Sequence, residues 1–452
     1  MNEPKPVRTS SLAIFSAAYF LALLPLLPRL SLWLDEILEL HAVRDVDLAH
    51  LSQEIASNAG AVPLGYYPQF LLIKLLGYSP ATGRLASAIF AALACFTLGL
   101  LCRRLKIRYP LLVVAIYALC PLQLRYATEA RTYAQALWLI ITATLVFTWL
   151  MEKITPARGI LYFACILAGL YTQPFTLFVP LAHAAYLIVA PTLPNRRNLL
   201  LTCTAAIALA TAGFAPWYLY ASHYWRANVT GEGIRFVFRW KELSLIGHEL
   251  VGAGYFGTAC VLIATALGLA ATILSRSQKL FWATLLIIPI LGPLLADAGF
   301  GYFLAIRQFI FILPALAVLS TVGLTFLESR QRLAAAALLI AITASWIAGD
   351  IGWFSRPRED WAAASTTLRQ NLTQGGCAIF VPENSRGYYT FFEPALPDHT
   401  CTGQASNQIW VAVSPYDAEP AYSQLADKLI REGYTHRTTQ TTARPHIENF
   451  SR

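Results

Sequence analysis

Eleven runs of apolar residues, at 11–28, 82–101, 109–121, 133–150, 159–172, 174–190, 199–219, 256–274, 280–296, 308–327 and 333–350, leave this chain few folds to choose from. About 20 consecutive apolar residues, wound as a helix, cross the hydrocarbon core of a bilayer. Inside that core only helices and closed barrels satisfy their own backbone polar groups. Most of the runs reach or approach the crossing length, and 109–121 and 159–172 fall short of it. A mean hydropathy of +0.52, with 56% hydrophobic and 13% charged residues, excludes an ordinary soluble globule. The expectation is an α-helical polytopic membrane protein with about 11 transmembrane helices.

Loop charge tests that count, because Lys and Arg collect in cytoplasmic loops. Lys5 and Arg8 precede the first run; Arg103, Arg104, Lys106 and Arg108 follow the second; Lys153 and Arg158 follow the fourth; Arg196 and Arg197 the sixth; Arg276 and Lys279 the eighth; Arg330 and Arg332 the tenth. All these positions share the side of the N-terminus, which is read as cytoplasmic. No small-x-small cleavage site lies between the first run and Arg29, so that run is read as an uncleaved helix and not a signal peptide. Segments 29–81, 122–132, 220–255 and 297–307, and residues 351–452, are then extracytoplasmic.

The net charge of +9 does not point to nucleic acid, because no basic block of five or more residues occurs and the cations fall between apolar runs. Six cysteines, Cys95, Cys102, Cys120, Cys165, Cys203 and Cys260, lie in or beside those runs and act as small hydrophobes. Cys377 and Cys401 lie in the one sizeable polar region, where a disulfide can form if the compartment is oxidising. No Cys or His spacing matches a zinc site.

Two segments of the first outer loop suggest interfacial helices. Leu48, Leu51 and Ile55 recur at helical spacing among polar residues, and 64–77 is apolar and aromatic but interrupted by Pro68 and Lys74. In the last hundred residues, helix-like 360–371 and 422–431 alternate with apolar runs at 377–381 and 409–414, as in a small α/β domain. The domain expectation is therefore a transmembrane domain over 1–350 and an extracytoplasmic α/β domain over 351–452.

Chemistry is sought where charge meets the outer membrane face. Asp35 and Glu36, in Trp33-Leu34-Asp35-Glu36, follow the first run, where an ionisable group is costly and is usually paired or functional. Arginines stand there against the charge bias: Arg84, Arg125, Arg131, Arg226, Arg235, Arg239 and Arg307. Such cations call for a carboxylate or a phosphate. In the run from Arg125 through Glu129 and Arg131 to Tyr133, a helix would pair Arg125 with Glu129 at i,i+4 and leave Arg131 for another anion. The ordinary alternatives are an ion pair at a helix start and, for Arg307, a snorkelling side chain. Loop 222–255, with His223, Trp225 and Trp240 among its arginines, suits either a lid over a sugar or lipid phosphate or an interfacial belt.

Acids and arginines together suit sugar transfer from a lipid phosphate: a carboxylate takes the acceptor hydroxyl's proton, and guanidinium groups stabilise the departing phosphate. Two adjacent carboxylates could also ligate Mg²⁺ or Mn²⁺, but alone supply too few ligands.

The chain resembles the GT-C membrane glycosyltransferases, in particular the bacterial group of protein O-mannosyltransferases and lipid A aminoarabinose transferases. The resemblance rests on Trp33-x-Asp35-Glu36, Pro63-Leu64-x-Tyr66-Tyr67 with Gly77, Arg84-Leu85-x-Ser87, Tyr126-x-x-Glu129-Ala130-Arg131-x-Tyr133, Arg307 before Pro314, and Arg358-Glu359-Asp360-Trp361. It implies a fold of GT-C type and inverting transfer from a polyprenyl-phosphate-linked sugar to a lipid, glycan or protein hydroxyl outside a bacterial plasma membrane. It further implies Asp35 as base, Glu36 or Glu129 in support, and Arg131 or Arg307 near the phosphate, with Arg84 and Tyr133 lining the donor site. In one departure, Gly60-Ala61-Val62 stand beside Pro63 where many relatives carry His or Lys, so a phosphate or acceptor contact is missing or comes from elsewhere. The rival reading is a transporter or flippase for an anionic lipid or lipid-linked sugar. That function favours charges in mid-span and paired repeats, whereas here the charges cluster at one face and no internal repeat is found.

Overall fold

The computed structural model describes residues 7–58, 60–190, 193–229, 240–300, 305–355, 358–401, 406–415, 419–439 and 444–452. In chain order its helices are α1 Thr9–Leu23, α2 Leu34–Arg44, α3 Leu51–Ser57, α4 Pro63–Leu76, α5 Pro80–Arg104, α6 Pro110–Leu119, α7 Pro121–Ala127, α8 Tyr133–Glu152, α9 Pro156–Leu170 and α10 Phe178–Val189. They continue as α11 Arg196–Val229, α12 Trp240–Glu249, α13 Gly254–Ala270, α14 Arg276–Phe300, α15 Leu313–Glu328, α16 Arg332–Ser355, α17 Trp361–Gln374, α18 Arg386–Phe392 and α19 Glu419–Arg431. The strands are β1 Cys377–Val381, β2 Gln408–Val413, β3 Thr435–Thr439 and β4 His446–Ser451.

The starts of these helices are written locally. Pro63, Pro80, Pro110, Pro121 and Pro156 occupy first helical positions, where a missing N–H costs nothing. Ser79 and Thr155 cap α5 and α9 by accepting from the amides of Thr82 and Arg158.

Each of the eleven apolar runs is helical, and the protein is a multi-pass helical membrane protein. Among the described residues seven helices are long and apolar enough to cross, or up to eight if the pair α6 and α7, bent by 70°, is one span. The apolar helices Pro156–Leu170, Pro174–Val189 and Gly254–Ala270 are shorter. At 1.5 Å per residue, helices of that length fall short of a core about 30 Å thick. Length therefore does not establish a count of eleven.

Contacts divide the chain into two units, Met1–Leu27 with Val46–Gly352, and Pro28–Asp45 with Trp353–Arg452. In the first unit, loop contacts sort the helix ends. At one end Arg103 donates to Thr9, Arg104 to Glu152 at 2.7 Å, and Gln278 to the Leu105 carbonyl at 3.0 Å. At the other, Trp217 donates to the Ala61 carbonyl at 3.2 Å, the Leu64 amide to Tyr171 at 2.8 Å, and Arg125 to Gly252 at 3.0 Å. The basic loops after the second, fourth and eighth runs thus share an end with the start of α1, as the alternation of charge requires.

In this unit α13 and α15 approach closely. A Cβ on Gly268 would lie 2.1 Å from the Leu319 carbonyl oxygen, and one on Gly323 would lie 1.9 Å from that of Ala264. Helices in lipid gain contact through such small residues, since no hydrophobic effect drives them together there.

The second unit is a four-stranded mixed sheet of order β1-β2-β4-β3, with β1 parallel to β2 and the other pairs antiparallel. The central strand β2 is buried from Ile409 to Val413. A disulfide joins Cys377 and Cys401. Helix α2, from the first outer loop, belongs to this unit.

Two expectations are corrected. Leu48 lies outside α3 and is exposed, because the helix begins only at Leu51 and spans 7 residues, with Leu51 and Ile55 buried. Arg125 and Glu129 do not share a helix: α7 ends at Ala127, and 128–132 run as bends before α8.

Candidate active site

Asp35 occupies the second position of α2 and is half-buried. The residue before the helix is Trp33, whose indole offers no acceptor to the amides of the first turn. Substitutes come from two carboxylates. Glu36, which is 0% exposed, reaches back toward the Trp33 amide at 3.4 Å. Glu359, 2% exposed, accepts from the Leu34 amide at 2.8 Å. Negative charge at a helix start is favoured by the helix dipole as well.

The neighbours of Glu359 are equally engaged. The Trp361 indole N–H donates to the same Glu359 oxygen at 2.6 Å, and the Arg358 guanidinium lies 3.8 Å above the Trp33 ring. Asp360 caps α17 through the Ala363 amide and accepts from the Ser31 hydroxyl at 3.4 Å. Trp361 is fully buried against Tyr388 and Tyr389, and burial pushes both phenols above their usual range. At the far end of α2, Arg44 donates to the Phe391 carbonyl at 2.8 Å and stacks on its ring at 4.1 Å.

The remaining candidates lie in the first unit, where three motifs distant in sequence converge. Ser87 donates to the Arg131 carbonyl at 2.9 Å, Gln135 donates to that of Leu64 at 3.3 Å, and a Cβ on Gly65 would fall 2.0 Å from the Thr132 methyl. Gly65 is therefore required by the close approach of α4 to the bend before α8. Within that bend the Arg131 amide donates to the Glu129 carbonyl at 2.8 Å, and the Arg131 guanidinium lies 5.6 Å from the Tyr133 ring centre. The Tyr126 and Tyr133 rings pack at 4.7 Å. Glu129 and Tyr133 are buried, and Arg131 is half-buried. Arg84, 2% exposed, donates to the Leu27 carbonyl at 2.7 Å, closing the end of the first apolar run. Arg307 is half-buried in the 3₁₀ turn Ile306–Gln308, ahead of Pro314 in α15.

Arg235 and Arg239 lie outside the described residues, as does Tyr302, and the side chains of Trp225, Arg226, Trp240 and Lys241 are likewise not described. Among the described residues no group of three or more His, Cys, Asp or Glu side chains is placed to hold a metal ion.

ArnT from Cupriavidus metallidurans has been solved apo and bound to undecaprenyl phosphate. It aligns with TM-score 0.58 over 98% of each chain at 13% identity, in both states. Arabinofuranosyltransferase AftD from Mycobacteria aligns with TM-score 0.55 and 15% identity over 99% of this chain and 40% of its own. The archaeal oligosaccharyltransferase AglB from Archaeoglobus fulgidus, in complex with an inhibitory peptide and a dolichol-phosphate, aligns with TM-score 0.51 and 13% identity over 88% and 61%. This chain has the GT-C fold. No protein-family profile matches the sequence, and no curated relative does. At these identities the GT-C fold is carried by helix order and placement and hardly at all by residue identity.

Sequence reasoning singled out Asp35 and Glu36 but gave no role to Glu359, quoted only as part of a motif, and passed over Glu39. Glu39 is 1% exposed and stands one turn past Asp35 on the same face of α2. An acid at i+4 from another acid, amid Ile37, Leu38 and Leu40, is the signal in the sequence that marks it.

Proposed function

We propose that this chain transfers a sugar from a polyprenyl-phosphate-linked donor to an acceptor hydroxyl, with inversion, on the extracytoplasmic face of a bacterial plasma membrane. The observation that carries the reading is a half-buried carboxylate, Asp35, on a short helix held at both ends by hydrogen bonds. Pre-organisation of this kind suits a general base. The likeness over nearly the whole of both chains to a protein solved with undecaprenyl phosphate supports a lipid phosphate as the donor's carrier.

In the proposed reaction the acceptor oxygen attacks the anomeric carbon opposite the phosphate, and Asp35 takes the hydroxyl proton. The bond from carbon to phosphate oxygen breaks, and the polyprenyl phosphate leaves with the electron pair. Arg131 and Arg307 stabilise its charge. Glu129 and Tyr133 hold the Arg131 bend, Arg84 supports the scaffold through Leu27, and Glu36 shapes the start of α2. Placement of α2 and of residues 353–452 outside the cytoplasm, with the N-terminus inside, is supported by the Cys377–Cys401 disulfide and by the basic loops gathered at one end of the bundle.

The test is transfer by purified protein from undecaprenyl-phosphate-linked sugars. Asp35→Asn is expected to lose at least about a hundredfold in kcat, the scale of base catalysis. Near wild-type transfer by that variant would remove Asp35 from the mechanism. Lipid movement across vesicles by wild type without any glycosidic product would instead favour the flippase.

A further inference from the structure

We propose that Glu359 is a positioning residue for Asp35, acting as a remote cap on the helix that presents the base. The inference rests on the reading of Asp35 given above. Its ground is a gap in the local structure. The Glu36 and Ile37 amides are served by the Trp33 carbonyl, at 2.9 and 3.0 Å, but Trp33 has no side-chain acceptor for the rest of the turn. A Ser, Thr, Asp or Asn at that position would supply one locally. Such a local cap would bind the second or third amide of the helix; the first, that of Leu34, is bound by a carboxylate 325 residues away in sequence.

Glu359 is itself fixed. Its Oε2 accepts both the Leu34 amide and the buried Trp361 indole N–H, and the side chain is almost wholly out of solvent. A buried carboxylate is costly unless it is hydrogen-bonded, so this one holds its two donors tightly. Leu34 immediately precedes Asp35. A shift of the first turn of α2 would therefore swing the base away from the acceptor oxygen, and a displacement of about 1 Å is enough to cost on the order of a hundredfold in rate. Arg358 on the Trp33 ring and Asp360 on Ser31 brace the same turn from either side.

The Leu34 amide and the Trp361 indole donate to one oxygen, and an amide oxygen can accept the same two bonds. Glu359→Gln is expected to stay within about threefold of wild type, while Glu359→Ala loses about ten- to a hundredfold in kcat at unchanged donor KM. The assay is sugar transfer in detergent from undecaprenyl-phosphate-linked sugars, with thermal unfolding followed in parallel. The deciding measurement is the double variant with Asp35→Asn. If Glu359 acts through the base, Glu359→Ala adds almost nothing to the Asp35→Asn loss; multiplied losses would mark a merely structural role and overturn the proposal. Should Glu359→Ala not fold, Trp361→Phe removes the fixing N–H while leaving an aromatic ring in place, and several-fold lower kcat at unchanged KM is expected. Wild-type kcat in that variant, or in Glu359→Ala beside an impaired Asp35→Asn, would sink the positioning role alone. An unimpaired Asp35→Asn would instead sink the base and, with it, this inference.

Discussion

Asp35 and Glu36 are neighbours in sequence and part company in space. Glu36 is wholly buried and turned back on the Trp33 amide, whereas Asp35 keeps partial exposure on the first turn of α2. Glu36→Gln retains an oxygen to accept that amide. It is expected to cost less than the ~1 kcal/mol of a lost cap, with a loss in kcat at least tenfold smaller than that of Asp35→Asn. Thermal unfolding and initial rates on the two variants decide it, and equal kcat losses would make Glu36 a second acid in the chemistry. The sequence marked Asp35 through a local signal, two acids directly after an apolar run. Glu359 carries no such signal, because its value lies in a contact across 325 residues. No pattern read along the chain contains that contact.

Helices were legible where their rules are local. The apolar runs placed α5, α8, α9 and α15 in the sequence, and first-position prolines with the Ser79 and Thr155 caps mark where α5 and α9 begin in the structure. The bend at 128–132 was not legible, because Arg125 and Glu129 have helical spacing and nothing between them breaks a helix by propensity. Its cause is tertiary: Gly65 of α4 and Ser87 of α5 press on Thr132 and Arg131, and Gly252 takes the Arg125 guanidinium. Element packing also yields a test. Gly323→Val must drive α15 off the Ala264 carbonyl of α13, and a cost of about 1–3 kcal/mol is expected, as for other overpacked sites. A melting temperature in detergent equal to wild type would show that the pair can part without loss.

At the scale of the molecule the membrane helices were legible from composition and loop charge, and the small C-terminal α/β region from its alternating strand and helix signals, and so was the candidate disulfide. The strands β3 and β4 were not. Thr435–Thr439 and His446–Ser451 are polar and short, and they pair because β2 already offers an edge. Their threonines and alternation were a weak signal beside the apolar β1 and β2. Closing a loop with a sequence separation of 24, the Cys377–Cys401 bridge is expected to contribute about 3 kcal/mol to this unit. Reduction, or Cys377→Ser with Cys401→Ser, should lower its unfolding transition accordingly, as read by calorimetry; an unchanged transition would mean that the reduced chain is no less constrained. The seating of α2 in the C-terminal unit has a consequence in time. Leu34 emerges from the ribosome 325 residues before Glu359, which at ~5–20 residues per second is a wait of about 16–65 s. Throughout that interval the nascent protein holds its acid-bearing helix without the carboxylate that binds its first amide, so this unit is completed last, after the apolar helices have been synthesised.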